Sequence, residues 1–194
     1  MPPVLILAST SRYRRELLQR LRLPFEVVSP EVDEAPLPGE APAALALRLA
    51  LAKARAVQTR RPGAVVIGSD QVADLDGEPL GKPHTHGRAV AQLTRLSGRS
   101  VVFQTGVAVV APGFEQALLA PVRVRFRVLT PGEIEHYLRA EQPYDCAGSA
   151  KSEALGIALL EAIDSDDPTA LVGLPLMRTC ALLRAAGIEP LARA

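Results

Sequence analysis

The chain has 194 residues, 48% of them hydrophobic and 22% charged, which places it with globular proteins and suits one domain spanning 1–194 rather than a disordered segment. Its 22 basic and 21 acidic residues leave a formal net charge of +1 with no long run of one sign, so neither a nucleic-acid polymer nor a membrane surface is an expected partner. The start Met1-Pro2-Pro3-Val4 lacks a charged leader, no apolar run approaches the roughly 20 residues of a membrane span, and Cys146 and Cys180 lie far apart without metal-ligand spacing, which predicts a reduced, cytoplasmic setting.

Val4 to Ala8 is a short β-branched, apolar run and predicts a strand, after which Ser9-Thr10-Ser11 offers capping hydroxyls to a helix carrying Leu17, Leu18 and Leu21. Phe25 to Ser29 predicts a second strand, Pro30 to Pro42 an acidic, proline-rich loop, and Ala43 to Thr59 a long alanine- and leucine-rich helix. Val65 to Gly68 reads as a buried strand, and Asp76-Gly77 as a turn after Val72 to Leu75. A helix follows from about Gly87 to Leu96, then a hairpin of Val101 to Val110 and Ala117 to Val128. Thr130 and Glu133 form a capping box ahead of Ile134, Tyr137 and Leu138, with Pro131 at the first helical position. Leu155 to Ile163 predicts a last strand, and Pro168 to Ala186 a last helix bent at Pro175. The central hairpin interrupts the βα rhythm, so the class is α/β with mixed strand pairing.

Chemistry concentrates at a few points. Arg12, Arg14 and Arg15 occupy the first turn of a helix, where cations oppose the macrodipole, so a bound anion is one reason for them and simple solvation the other. Arg14 precedes Leu17 and Leu18 by helical spacing and starts the buried face. Lys53 lies about 140° from Arg48 and about 160° from Arg55 around its helix, on the alanine and leucine side. It either snorkels past small residues or meets a partner there. Asp70 follows Val65-Val66-Ile67 at the expected C-terminal edge of a central strand, where α/β folds bind ligands and where turn aspartates are also common. Lys82 and the acidic group Glu31, Asp33 and Glu34 sit in loops. His84, His86 and His136 lack zinc spacing and read as surface residues, and no GxGxxG or GxxxxGK[ST] occurs.

Taken in order, Ala8-Ser9-Thr10-Ser11 with Arg14, Pro30-Glu31-Val32-Asp33-Glu34, Ala52-Lys53-Ala54, Gly68-Ser69-Asp70-Gln71, Gly81-Lys82-Pro83 and Cys146-Ala147-Gly148-Ser149-Ala150-Lys151-Ser152-Glu153 resemble the Maf-like nucleotide pyrophosphatases, from about Val4 to Leu191. Within them the resemblance is strongest to the branch assigned to 7-methylguanosine triphosphate. It implies an elongated mixed-sheet, inosine-triphosphatase-like fold whose two lobes flank a nucleotide cleft. It also implies a cytoplasmic enzyme, often a homodimer, that releases pyrophosphate and a nucleoside monophosphate with Mg²⁺ or Mn²⁺. Carried onto matching positions, Asp70 is the proton acceptor, Ser9, Ser11, Arg14, Lys53 and Lys82 hold the triphosphate, and Glu34 and Asp70 lie near the metal.

The same resemblance places Tyr13, Gln71 and Glu153 where the family separates its substrates. An aromatic face and a carboxylate suit the positive ring of a 7-methylated guanine, each contributing ~1 to 2 kcal/mol when desolvated. Two positions depart from the branch: Arg12 replaces a proline, and Ala154 replaces a glycine, which strains its loop if that position requires positive φ. Another modified nucleotide is the neighbouring substrate reading. The family is also associated with cell division and septum formation, so a nucleotide-binding regulator is the alternative class. Asp70, Lys53 and Lys82 favour catalysis, because a pure binder needs no water-activating carboxylate.

Overall fold

A computed structural model of the chain describes residues 3–191. The expected apolar run forms β1 (Leu5–Ala8), wholly buried, and leads into α1 (Arg12–Gln19), whose N-cap Ser11 accepts the Arg14 N–H. β2 (Glu26–Val28) precedes α2 (Pro42–Arg60), which opens on a proline that needs no N–H partner. β3 (Val65–Leu75) and β4 (Glu78–Leu80) form a hairpin whose turn residues Asp76 and Gly77 both have positive φ. Then come α3 (His86–Leu96), the long hairpin of β5 (Ser100–Ala111) and β6 (Phe114–Phe126), α4 (Pro131–Glu141), β7 (Leu160–Asp164) and α5 (Leu176–Ala185). Among the described residues no helix is long and apolar enough to cross a membrane.

The seven strands make one mixed sheet in the order β2-β1-β3-β5-β6-β7, with β4 also on β3. β1 pairs in parallel with β2 and β3, and every other pairing is antiparallel. Three expectations need correction. Gly68-Ser69-Asp70-Gln71 has the composition of a turn, yet β5 pairs with β3 from Val66 to Asp74 and carries the strand through it. Asp70 therefore lies in mid-strand, not at a strand end. The segment before β7 is a 3₁₀ helix over Leu155–Leu159, because Ala154 and Ile157 donate to the carbonyls three residues back instead of to a neighbouring strand. The last helix begins only at Leu176, since Gly173 at φ 120° and Pro175 break the chain and the Leu176 N–H is held by Thr169 Oγ1 at 2.8 Å.

Buried apolar side chains among the described residues gather in four clusters, the largest in one half of the molecule and the next two on the two faces of the sheet in the other. The largest gathers Leu93, Leu96, Phe103, Val122, Phe126, Ile134 and Leu138 around α3 and α4. On the other side Leu7, Leu17, Ile67, Val109 and Leu182 pack under α1 and α5, with Ile6, Ala50, Ala54 and Val66 beneath α2. β3 and β5 contribute residues to both halves. β1 pairs with β3 only as far as Gly68, and β4 takes up the same edge only at Ala73. Along that edge Ser69 to Val72 have no strand neighbour, and the opening between the halves falls there.

Small residues set the depth of this opening. A Cβ on Gly68 would lie 2.2 Å from the Ala50 carbonyl oxygen, and one on Gly106 would lie 2.6 Å from that of Ala46, so α2 rests directly on the backbone of β3 and β5. That close approach brings Lys53, one turn along from Ala50, down to the level of the strand.

Candidate active site

The period of two along β3 sends its polar residues to opposite faces. Gly68 and Asp70 face α2, and Lys53 (4% exposed) donates from Nζ to Asp70 Oδ1 at 2.5 Å, with Asp70 itself 8% exposed. The partner that Lys53 requires on the apolar side of its helix is thus a carboxylate. The same ammonium meets Glu34 Oε1 at 2.6 Å from the loop after β2. Burial pushes the Glu34 carboxyl upward, but the Lys53 hydrogen bond and the charges of Lys53, Lys82 and Arg14 outweigh it and hold the group below its usual value.

Ser69 and Gln71 face the other way, onto the segment before α5. Ser69 Oγ lies 2.8 and 3.0 Å from the Gly106 and Gly173 carbonyl oxygens, with one proton to share between them, and Gln71 Nε2 reaches Thr105 Oγ1 at 2.9 Å and the Ala170 and Leu171 carbonyls at 3.0 Å. Carbonyl acceptors fix the orientation of that amide and leave Oε1 as its uncommitted end. Arg14 Nε donates to the same Gly173 carbonyl at 2.8 Å, and burial lowers its pKa against the opposing pull of Asp70 and Glu34. Gly173, at φ 120°, thus presents one carbonyl within reach of both Ser69 and Arg14.

These elements enclose a cleft of about 440 Å³, and it brings together every site residue expected from the sequence: Ser9, Ser11, Tyr13, Arg14, Glu34, Lys53, Asp70, Gln71, Lys82 and Glu153. Ser9 Oγ accepts the Ser11 N–H at 3.1 Å and Ser11 Oγ accepts the Arg14 N–H at 3.4 Å, so both hydroxyls hold the turn while keeping their own protons for an acceptor in the cleft. Lys82 is exposed and lines the same cleft. Tyr13 belongs to none of the hydrophobic clusters among the described residues, which removes core packing as its reason to be there. Ala154 has φ −137°, so the position does not demand the positive φ that would favour glycine.

Some acidic residues stay outside. Glu31 is exposed and lies 3.8 Å from Arg60, while Asp33 accepts the Ala35 N–H. His84 and His136 are exposed as expected, but His86 is half-buried and held by Glu135 and the Tyr144 hydroxyl, at 2.8 and 2.9 Å, tying α3 to α4. Residues that sequence reasoning missed include Phe103, Asp145, Cys146 and Leu171 to Gly173. Asp145 adjoins the recognised Cys146–Glu153 stretch and Cys146 begins it, whereas 171–173 fall inside the expected helix from Pro168, which in fact starts only at Leu176. Burial and the neighbouring Asp145 push the Cys146 thiol up to about 12, which makes it a poor nucleophile at neutral pH.

Among the described residues no group of three or more His, Cys, Asp or Glu side chains forms a protein-only metal cage. Glu34 and Asp70 nevertheless meet at one cationic point, now the Lys53 ammonium. Two hard carboxylates with space for phosphate oxygens and water fit the way Mg²⁺ or Mn²⁺ is held beside a nucleotide.

A mixed sheet opened at one edge, with a cleft lined by the cations Arg14, Lys53 and Lys82 and also by Asp145 and Glu153, defines an α/β protein built to take an anionic ligand with a polar head. Residues 4–186 match the family described as Maf-like protein, and the chain belongs to that family. A relative from Polaromonas sp., named 7-methyl-GTP pyrophosphatase, is 74% identical over 186 residues, 95% of this chain and 85% of its own length. Another of the same name, from Albidiferax ferrireducens, is 66% identical over 189 residues, covering 96% of this chain and 95% of its own. Among solved structures, the Staphylococcus aureus Ham1 protein is similar at a TM-score of 0.46 and 16% identity, over 63% of this chain and 71% of that one.

Proposed function

We propose that this chain is a cytoplasmic nucleoside triphosphate pyrophosphatase that hydrolyses 7-methylguanosine triphosphate to 7-methylguanosine monophosphate and pyrophosphate with a divalent cation. The observation that carries the reading is the position of Asp70, which lines the cleft and is held by Lys53 through Oδ1 at 2.5 Å while Oδ2 has no hydrogen-bond partner among the described residues. The names and identities of the relatives support the substrate.

Water attacks the α-phosphorus as Asp70 Oδ2 takes its proton. The bond from the α-phosphorus to the oxygen bridging to the β-phosphorus breaks, and its electron pair leaves with pyrophosphate. Arg14, Lys53 and Lys82 neutralise the charge that gathers on the departing group, and the Ser9 and Ser11 hydroxyls donate to phosphate oxygens. Glu34 and Asp70 would hold Mg²⁺ or Mn²⁺, which supplies further charge neutralisation on the phosphates.

At the base end, the free Oε1 of Gln71 and the Glu153 carboxylate are both acceptors, which matches the N–H donor edge of guanine, and Tyr13 offers a π face to its positive ring. The test is pyrophosphate release from a panel of 7-methyl-GTP, GTP and dTTP with Mg²⁺ or Mn²⁺. The expected result is a preference for the methylated nucleotide, activity abolished by chelation, and a preference weakened by about 5- to 30-fold in Glu153→Gln. An unchanged preference in that variant contradicts the assigned base contacts. Nucleotide binding without hydrolysis favours a regulatory protein.

A further inference from the structure

The base end of the cleft already carries a cation. The Arg12 guanidinium lies 4.7 Å from the centre of the Tyr13 ring and donates to the Tyr13 hydroxyl at 2.8 Å. A guanidinium is planar, delocalised and weakly hydrated, and a 7-methylguanine ring at neutral pH shares the first two properties. The chain's own side chain therefore demonstrates what the Tyr13 face accepts. Asp145 lines the same cleft, exposed; among the described residues its one side-chain hydrogen bond is from the Cys146 thiol at 3.4 Å, and its carboxylate makes no salt bridge. Asp145 also acts electrostatically on Arg12, raising its pKa behind the larger effects of Tyr13.

Resting on the pyrophosphatase reading above, we propose that Arg12 and Asp145 are further specificity-determining residues: Arg12 occupies the aromatic face that a cationic base must take, and Asp145 joins Glu153 in favouring that base's positive charge. Binding requires the guanidinium to leave the ring. A displaced Arg12 still stands nearby and repels a charged base more than a neutral one. Its presence thus lowers discrimination for the methylated nucleotide, while Asp145 raises it.

Steady-state kinetics on the full chain with 7-methyl-GTP and GTP, divalent metal present, test this. In Arg12→Ala the ratio of the two kcat/KM values, methylated over unmethylated, rises about three- to tenfold through a lower KM for 7-methyl-GTP. In Asp145→Asn the ratio falls by a similar factor. The Arg12→Ala gain shrinks as ionic strength rises, a response that a merely structural role does not give. An unchanged or lower ratio in Arg12→Ala, or an unchanged ratio in Asp145→Asn, overturns the inference while leaving the pyrophosphatase reading intact. A wild-type chain that releases pyrophosphate from neither nucleotide overturns both.

Discussion

Lys53 sits on the small-residue face of α2, buried, and answers two carboxylates at once. Its placement was legible in the sequence as an angle: a cation on the wrong side of an amphipathic helix implies a partner. Which partner was not legible, because that depends on how deeply the alanines of α2 let the helix approach β3. Asp70→Asn keeps the shape and the Lys53 contact but cannot take a proton, so kcat should fall by about 10²- to 10⁴-fold with KM little changed, measured by pyrophosphate release. Lys53→Met keeps the length and removes the charge. It should cost about 10²- to 10³-fold in turnover and lower thermal stability, since it leaves Asp70 buried without its ammonium. Near-normal turnover in either variant argues against the assigned roles. Tyr13, Gln71 and Glu153 were legible only through resemblance. Nothing in local spacing shows that the Gln71 amide is pinned by carbonyls 99 and 100 residues away.

Helices with strong end signals were read closely, and the capping box of α4 is the clearest case. Thr130 accepts the Glu133 N–H, and the Glu133 carboxylate accepts the Thr130 N–H at 2.7 Å. The backbone hydrogen bond from Thr130, then the Arg127 guanidinium and the Thr130 hydroxyl, bring the Glu133 pKa from 4.5 to about 2. A depressed carboxyl pKa stabilises the fold above its unfolded value, and that contribution is lost as pH falls from about 4.5 towards about 2. The Tm of Glu133→Gln should therefore lie below wild type at pH 6 and converge with it near pH 2; a constant difference would contradict the contribution of the Glu133 charge. Thr130→Ala should cost about 1 kcal/mol in denaturant unfolding. Strand limits were read less well. Gly68 to Gln71 carry turn-like side chains inside an eleven-residue strand whose pairing with β5 overrides them. Gly68→Ala pushes a methyl into the Ala50 carbonyl and should destabilise by about 3 kcal/mol or more, taking activity with it as Lys53 is lifted from Asp70.

The clusters of both halves draw on β3, β5 and β6, so neither half owns a complete sheet. Unfolding should then appear as one thermal transition, coincident by far-ultraviolet circular dichroism and tyrosine fluorescence, and two separated transitions would show that the halves fold independently. The α/β class, the mixed pairing and the central hairpin were legible from hydrophobic period. The unpaired edge of β3 that opens the cleft was not, because it arises from where β1 stops and β4 begins, a matter of register between strands distant in sequence. On the proposed pyrophosphatase reading, that same geometry aims Asp70 at the α-phosphate. Hydrolysis of 7-methyl-GTP in ¹⁸O-labelled water, followed by mass spectrometry of the products, tests it most directly. Attack at the α-phosphorus places the label in 7-methylguanosine monophosphate and leaves pyrophosphate unlabelled. Label in pyrophosphate, or release of orthophosphate and a diphosphate, would contradict it.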